Sequence, residues 1–171
     1  MSLTPMVSTA RMIKKQHPNA RVCFIGPCAS KKLEAFRRTV RSDVNYVITF
    51  EELMGIFAAK DIDFAADSGD GLDEAAATGR GYAVAGGVAD AVVSCVKREH
   101  PDAEVPVDRA EGLENCRKLL LLAKAGKRNG YLIEGMACEG GCIGGAGTLQ
   151  PIKKAAASVK KFAEDSPYPN V

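Results

Sequence analysis

A chain of 171 residues has room for one domain with a core of its own, since globular domains run to roughly 100–200 residues. A hydrophobic fraction of 46% beside 26% charged residues is ordinary for a soluble α/β protein, and no apolar run approaches the ~18 residues of a membrane span. A net charge of +2, with four tyrosines, six phenylalanines and no tryptophan, argues against a nucleic-acid surface, which needs a basic stripe and stacking aromatics.

The N-terminal stretch MSLTPMVSTARMIKKQHP reads as helix almost from its start, with no signal peptide or anchor ahead of it. So abrupt an opening marks the chain as an expected fragment, folded as a single domain over residues 1–171. Residues 20–25, ARVCFI, form a short β-rich run that stops at Gly26-Pro27, and residues 31–40 have helical composition. The next unit repeats the pattern: residues 45–49 read as a strand and residues 50–60 as a helix, with Thr49 as N-cap and Glu51 and Glu52 in the first turn. Residues 61–79, rich in Asp, Gly and Ala, are expected to be a surface loop or small insertion with solvated acids.

From Gly86 onward, Val88, Ala91, Val92, Cys95 and Val96 recur at helical spacing until His100-Pro101 ends the run, which places Cys95 in a core. A third strand near residues 104–109 leads into a helix over about 113–125 that contains Cys116 and closes at Gly126. The fourth strand, residues 131–135, delivers a glycine-rich loop. Beyond it, Lys153, Lys154, Lys160 and Lys161 mark the wet face of a C-terminal helix. Parallel neighbours need long crossovers, and helices supply them, so the expected fold is a four-stranded, mainly parallel sheet flanked by helices on both faces.

Six cysteines in a chain without a secretion signal point to metal or catalysis rather than disulfides, and to the cytoplasm. Cys28 follows the first strand and Cys138 the fourth. In one parallel sheet those strand ends share the edge where open α/β proteins bind ligands. Cys142 joins them, because glycines on either side of it let the chain fold back tightly. Cys23 lies about five residues before Cys28, roughly 16 Å away in an extended strand, and is read as buried packing, as are Cys95 and Cys116 on their helices. Three convergent thiols suit zinc with a fourth ligand or an iron–sulfur cluster, and the glycines favour the cluster because bare backbone approaches inorganic sulfide closely. Zinc would call for a second close thiol pair or a histidine, and His17 and His100 each sit beside a proline at a helix end. The same loop also reads as a structural glycine turn with two incidental cysteines.

Two motifs sharpen the choice. GPCASKKLEA, residues 26–35, and EGMACEGGCIGGAG, residues 134–147, resemble in order the second and third signatures of the catalytic domain of iron-only (FeFe) hydrogenases. RGYAVAGGVADAV, residues 80–92, is similar to that family's Gly-Gly-Val turn into a helix near the cofactor, through Gly86 and Gly87. The resemblance implies a 4Fe-4S cubane held by Cys28, Cys138 and Cys142, with Cys142 also bridging to a two-iron subcluster that carries CO, cyanide and a dithiolate. It implies further that Lys31 contacts a cyanide, that Glu34 orients or balances the lysine, and that Pro27 and Met136 line the pocket. The expected chemistry is reversible splitting of dihydrogen, with Lys31 and Cys142 in the catalytic roles.

The family's first signature, which supplies the fourth cubane ligand, is absent from this chain. The resemblance therefore implies one lobe of a two-lobed domain, inactive alone, whose partners are an N-terminal lobe and a ferredoxin-like or NAD-linked electron carrier. Gly26 stands where many hydrogenases have methionine, and GGAGTLQP carries extra residues against the usual ending. These departures keep open a hydrogenase-like iron–sulfur protein without hydrogenase activity, serving cluster assembly or sensing. An anion-binding glycine loop is disfavoured, because no G-x-G-x-x-G or P-loop pattern occurs.

Overall fold

Pro5 begins the first helix, α1 (Pro5–Gln16), at a position where a missing N–H removes no helical hydrogen bond. The computed structural model describes residues 3–63, 66 and 75–168, and the chain divides into two compact units. The first comprises Met1–Asp67 and Gly145–Leu149; the second comprises Ser68–Gly144 and Gln150–Val171.

In the first unit α1 is followed by β1 (Cys23–Ile25), α2 (Ser30–Phe36), β2 (Tyr46–Ile48) and α3 (Phe50–Ala59). The two strands pair in parallel, Phe24 opposite Val47. Met6, Val7 and Ala10 recur at helical spacing on α1 and bury against Ala35, Val44 and Val47, with Phe24 and Val40 packed on the margin. Because side chains alternate across a strand, Phe24 turns to this core while Cys23 and Ile25 turn away. Cys23 is therefore exposed, not the buried packing residue expected from its strand position. The pattern told its periodicity but not that only one face of the strand pair would be covered.

Helix α2 also ends at Phe36, short of the expected 40. The Ser42 hydroxyl donates to the Ala35 carbonyl at 2.7 Å, and Arg11 from α1 donates to the carbonyls of Val40 and Arg41. The Ala35 carbonyl, which a longer helix would use internally, thus finds a side-chain partner, and the chain turns back through left-handed Arg41 and Asp43. The next helix starts where the sequence put it. Thr49 and Glu52 form a reciprocal capping box, with the Thr49 N–H donating to Glu52 at 2.8 Å and the Glu52 N–H to the Thr49 hydroxyl at 3.2 Å.

The second unit runs α4 (Ala77–Arg80), a 3₁₀ turn at Gly81–Ala83, α5 (Gly87–Glu99), β3 (Val107–Glu111), α6 (Leu113–Lys124), β4 (Leu132–Met136), a 3₁₀ turn at Cys142–Gly144, and α7 (Ile152–Glu164). Most of the acidic 61–79 stretch lies outside the described residues, but its end is helical, not loop, since α4 begins at Ala77. Arg80 ties α4 to α7: its guanidinium lies 4.2 Å over the Phe162 ring and donates to the Phe162 carbonyl. On α5 the buried stripe is narrower than expected, with Ala89 and Ala91 buried, Cys95 half-buried and Val92 exposed. The four lysines of α7 face water, and His17 and His100 cap the ends of α1 and α5, as anticipated.

Strands β3 and β4 pair in parallel over five residues, Arg109 opposite Glu134 and Glu111 opposite Met136. The parallel direction agrees with the sequence. The single four-stranded sheet does not: among the described residues there are two separate two-stranded sheets, β1 with β2 and β3 with β4. Crossover helices dictate parallel neighbours within each β-α-β unit, but they carry no instruction about which unit pairs with which.

Candidate metal centre

Cys138 lies two residues beyond β4, and Cys142 opens the 3₁₀ turn that follows. Between them Gly140 and Gly141 both hold left-handed backbone, with φ of 77° and 88°. A side chain at Gly141 would stand 2.5 Å from the Ala85 nitrogen, so only glycine allows this approach. The Gly141 N–H donates to the Cys138 carbonyl at 3.1 Å, and the Gly144 N–H to the Gly141 carbonyl at the same distance. Two thiols thus leave a tight turn, with the Ile152 side chain packed where a Cβ at Gly140 or Gly144 would go.

The segment just ahead of α5 holds that turn from one side. Val84 and Gly141 form an isolated antiparallel bridge, and the Ala85 N–H donates to the Gly140 carbonyl at 3.0 Å. On the other side the Gly140 N–H donates to the Glu111 carboxylate at 2.6 Å. One peptide further on, the Gly86 N–H donates to buried Glu134 at 2.7 Å, and the Ala89 N–H donates to the second oxygen of Glu134 at 2.8 Å. Gly86, with φ of 93°, and Gly87, whose Cβ would lie 2.1 Å from the Gly81 carbonyl oxygen, make the sharp entry into α5. Arg109 closes this entry from outside, pairing with Asp90 and lying against Gly86.

Sequence reasoning assigned Glu111 and Glu134 no role. The available signal was an ionisable residue inside the apolar run YLIEGM, because a buried carboxylate needs partners and here finds them in a helix N-terminus. Met136 is half-buried at the end of β4. Cys116 sits under the sheet from α6, its thiol 3.4 Å from the carbonyls of Ala110 and Met136, in the packing role expected of it.

In the first unit Cys28 is half-buried in the loop between β1 and α2. Its neighbour Pro27 accepts a hydrogen bond from the Gly147 N–H at 3.0 Å, and Gly147 is pressed so closely on Thr49 that a Cβ would lie 2.6 Å from it. The Phe24 ring lies where a side chain at position 26 would go, 2.9 Å from an ideal Cβ. Lys31 forms an ion pair with Glu34 at 2.5 Å, and Glu34 also accepts from the Thr4 hydroxyl. Partial burial pushes the Glu34 carboxyl up, but the hydrogen bonds from Lys31 and Thr4, with the lysine charge, outweigh it and hold it below the usual range. Glu34 borders a cavity of about 650 Å³ between α1 and α2 that contains no thiol among its lining residues.

Among the described residues no three His, Cys, Asp or Glu side chains come together in a group that could hold a metal ion. The chemistry of the pair at 138 and 142 is nonetheless selective. Soft thiol donors suit zinc or an iron–sulfur cluster better than a hard cation, which would need oxygens.

The family model described as the iron-only hydrogenase large subunit, C-terminal domain, matches residues 1–146. Among curated proteins the chain is similar to the NADP-reducing hydrogenase subunit HndD of Solidesulfovibrio fructosivorans, 32% identical over 160 residues, covering 74% of this chain and 27% of that protein. Among solved structures it is similar to a variant of the FeFe-hydrogenase HydA1 from Chlamydomonas reinhardtii, with a TM-score of 0.66 at 19% identity, covering 98% of this chain and 61% of that one. A second, apo variant of the same protein gives 0.65 at 20% identity with the same coverage. At such identities the structural likeness carries the fold alone. The chain spans about a quarter of the curated relative and about three-fifths of the solved chains.

Proposed function

The chain belongs to the iron-only hydrogenase large subunit family, as its C-terminal domain, and from that premise we propose that it serves as one lobe of a hydrogenase catalytic domain, with Cys28, Cys138 and Cys142 as thiolate ligands of an iron–sulfur centre. When bound, such a centre supplies the redox chemistry that interconverts dihydrogen with protons and electrons. The observation that carries the reading is the glycine turn of Cys138 and Cys142, held by backbone contacts in an order that matches the family's own motif.

In this reading the protein's own groups bind and orient. Cys138 and Cys142 offer thiolates from one turn and Cys28 a third from its loop. Lys31 presents a compact ammonium as donor and point charge, while Glu34 sets its direction and balances it. Pro27 in the first unit, and Gly86, Gly87 and Met136 in the second, line the cofactor in this reading. The fourth ligand comes from another lobe, and electrons pass to a ferredoxin-like or nicotinamide-linked carrier, in keeping with the name of the curated relative. The setting is the cytoplasm; no helix among the described residues is long and apolar enough to cross a membrane.

One observation favours a second reading, a hydrogenase-like iron–sulfur protein of assembly or sensing. The Lys31 ammonium is engaged by Glu34 at 2.5 Å, which leaves it less available to a diatomic ligand. Infrared spectra of the full-length protein, matured under strict anoxia, separate the two. Bands from CO and cyanide are expected, lost in Cys142→Ser and retained in Cys116→Ser. Iron–sulfur absorption without those bands would assign the second reading.

A further inference from the structure

A turn with two adjacent glycines loses more conformational freedom on ordering than any other backbone, so it keeps one shape only where its peptides are tied down. Gly140 is tied at both ends. Its N–H donates to Glu111 at 2.6 Å, and its carbonyl accepts from Ala85 at 3.0 Å. Ala85 is fixed in turn by the next peptide, whose N–H at Gly86 ends on Glu134, buried and bonded also to the Ala89 N–H. Both carboxylates stand on the β3–β4 pair, where the register puts Glu111 opposite Met136, two residues before Cys138. The strand pair therefore reaches Gly140 twice, directly through Glu111 and indirectly through Glu134 and the start of α5.

We propose that Glu111 and Glu134 are positioning residues that fix the Cys138–Cys142 turn in one shape before any metal arrives. Neither is a ligand. Glu111 holds the peptide ahead of Gly140, and Glu134 holds the α5 entry that braces the peptide after it. A charged acceptor suits both tasks, because hydrogen bonds from N–H to a carboxylate are stronger than those to a neutral oxygen. The inference takes from the reading above only that Cys138 and Cys142 act as a pair.

The test uses the reduced, metal-free chain. Two quantities are read: amide hydrogen exchange at Gly140, Gly86 and Ala89, and alkylation rates of individual thiols mapped by mass spectrometry. Glu111→Ala should speed exchange at Gly140 and alkylation of Cys138 and Cys142 by at least about tenfold relative to Cys28, the effect of losing one hydrogen bond to a charged group. Glu111→Gln, which keeps a neutral acceptor oxygen, should bring both to rates between those of the parent and of Glu111→Ala. Glu134→Gln turns an NH₂ toward one of two N–H donors, and it should speed exchange at Gly86 or Ala89 and alkylation of the same thiol pair. Unchanged pair rates in Glu111→Ala and Glu134→Gln would overturn the proposal. So would an equal acceleration at Cys116, which would mark general opening of the strand pair. Iron and sulfide uptake by the parent chain, measured separately, bears on the ligand reading: absent uptake beside the expected exchange pattern would count against the cluster and leave the clamp standing.

Discussion

Glycine 141 shows how little freedom a single position can have. Its left-handed backbone and the 2.5 Å approach to Ala85 both exclude a Cβ, so Gly141→Ala should cost about 1–3 kcal/mol. Denaturant unfolding of the second unit measures this, with a shift in midpoint and no change in slope expected. Glu34 gives a residue-scale prediction in pH. Its folded carboxyl titrates below the ordinary range, so it adds stability above the unfolded value of about 4.3 that is lost as pH falls through the lowered folded value. Glu34→Gln should therefore flatten the loss of stability on acidification below about pH 4.3 and leave the alkaline side unchanged. An acid limb as steep as the parent's would contradict the pairing with Lys31 and Thr4. The glycine cluster and the Lys-x-x-Glu spacing were both visible in the sequence; the Thr4 contact, thirty residues away in the chain, was not.

Helices and strands differ in how far local chemistry fixes them. Helix α3 begins where Thr49 and Glu52 say it should, because a capping box is a bargain between residues three apart and needs nothing distant. Thr49→Ala should lower the stability of the first unit by about 1 kcal/mol, read as a shift in its unfolding midpoint followed by circular dichroism. Helix α2 is the opposite case: its composition continues to residue 40, yet Ser42 and Arg11 end it at Phe36 through contacts that no local window contains. The strands behave likewise. Their positions were legible from β-rich runs, while the exposure of Cys23 followed from which face of β1 the core covers.

Among the described residues, the first unit buries Met6, Val7, Ala10, Ala35, Val44 and Val47, and the second buries the apolar side chains of Ala89, Ala91, Leu119 and Ile143. Cores this small leave stability near the lower end of the usual range of about 5–15 kcal/mol. Large apolar side chains remain outside: Leu33 is 79% exposed and Phe36 69%, three residues apart on one face of α2. The isolated chain should consequently self-associate as its concentration rises, and Leu33→Lys with Phe36→Lys should suppress this in sedimentation velocity. Concentration-independent sedimentation of the parent would show that this face needs no cover.

The order and type of the long elements, the parallel direction of paired strands, the family, and the spacing of thiols and glycines at 138–147 could all be read from local sequence. Each of these is set within a short window, by capping, periodicity or the steric limits of backbone. That the strands form two pairs in place of one sheet, that Cys23 is exposed, and that Glu111 and Glu134 converge on Gly140 came from the folded chain alone. Those outcomes depend on burial and on partners distant in the chain, and a buried carboxylate reveals its purpose only when the N–H groups that satisfy it are in view.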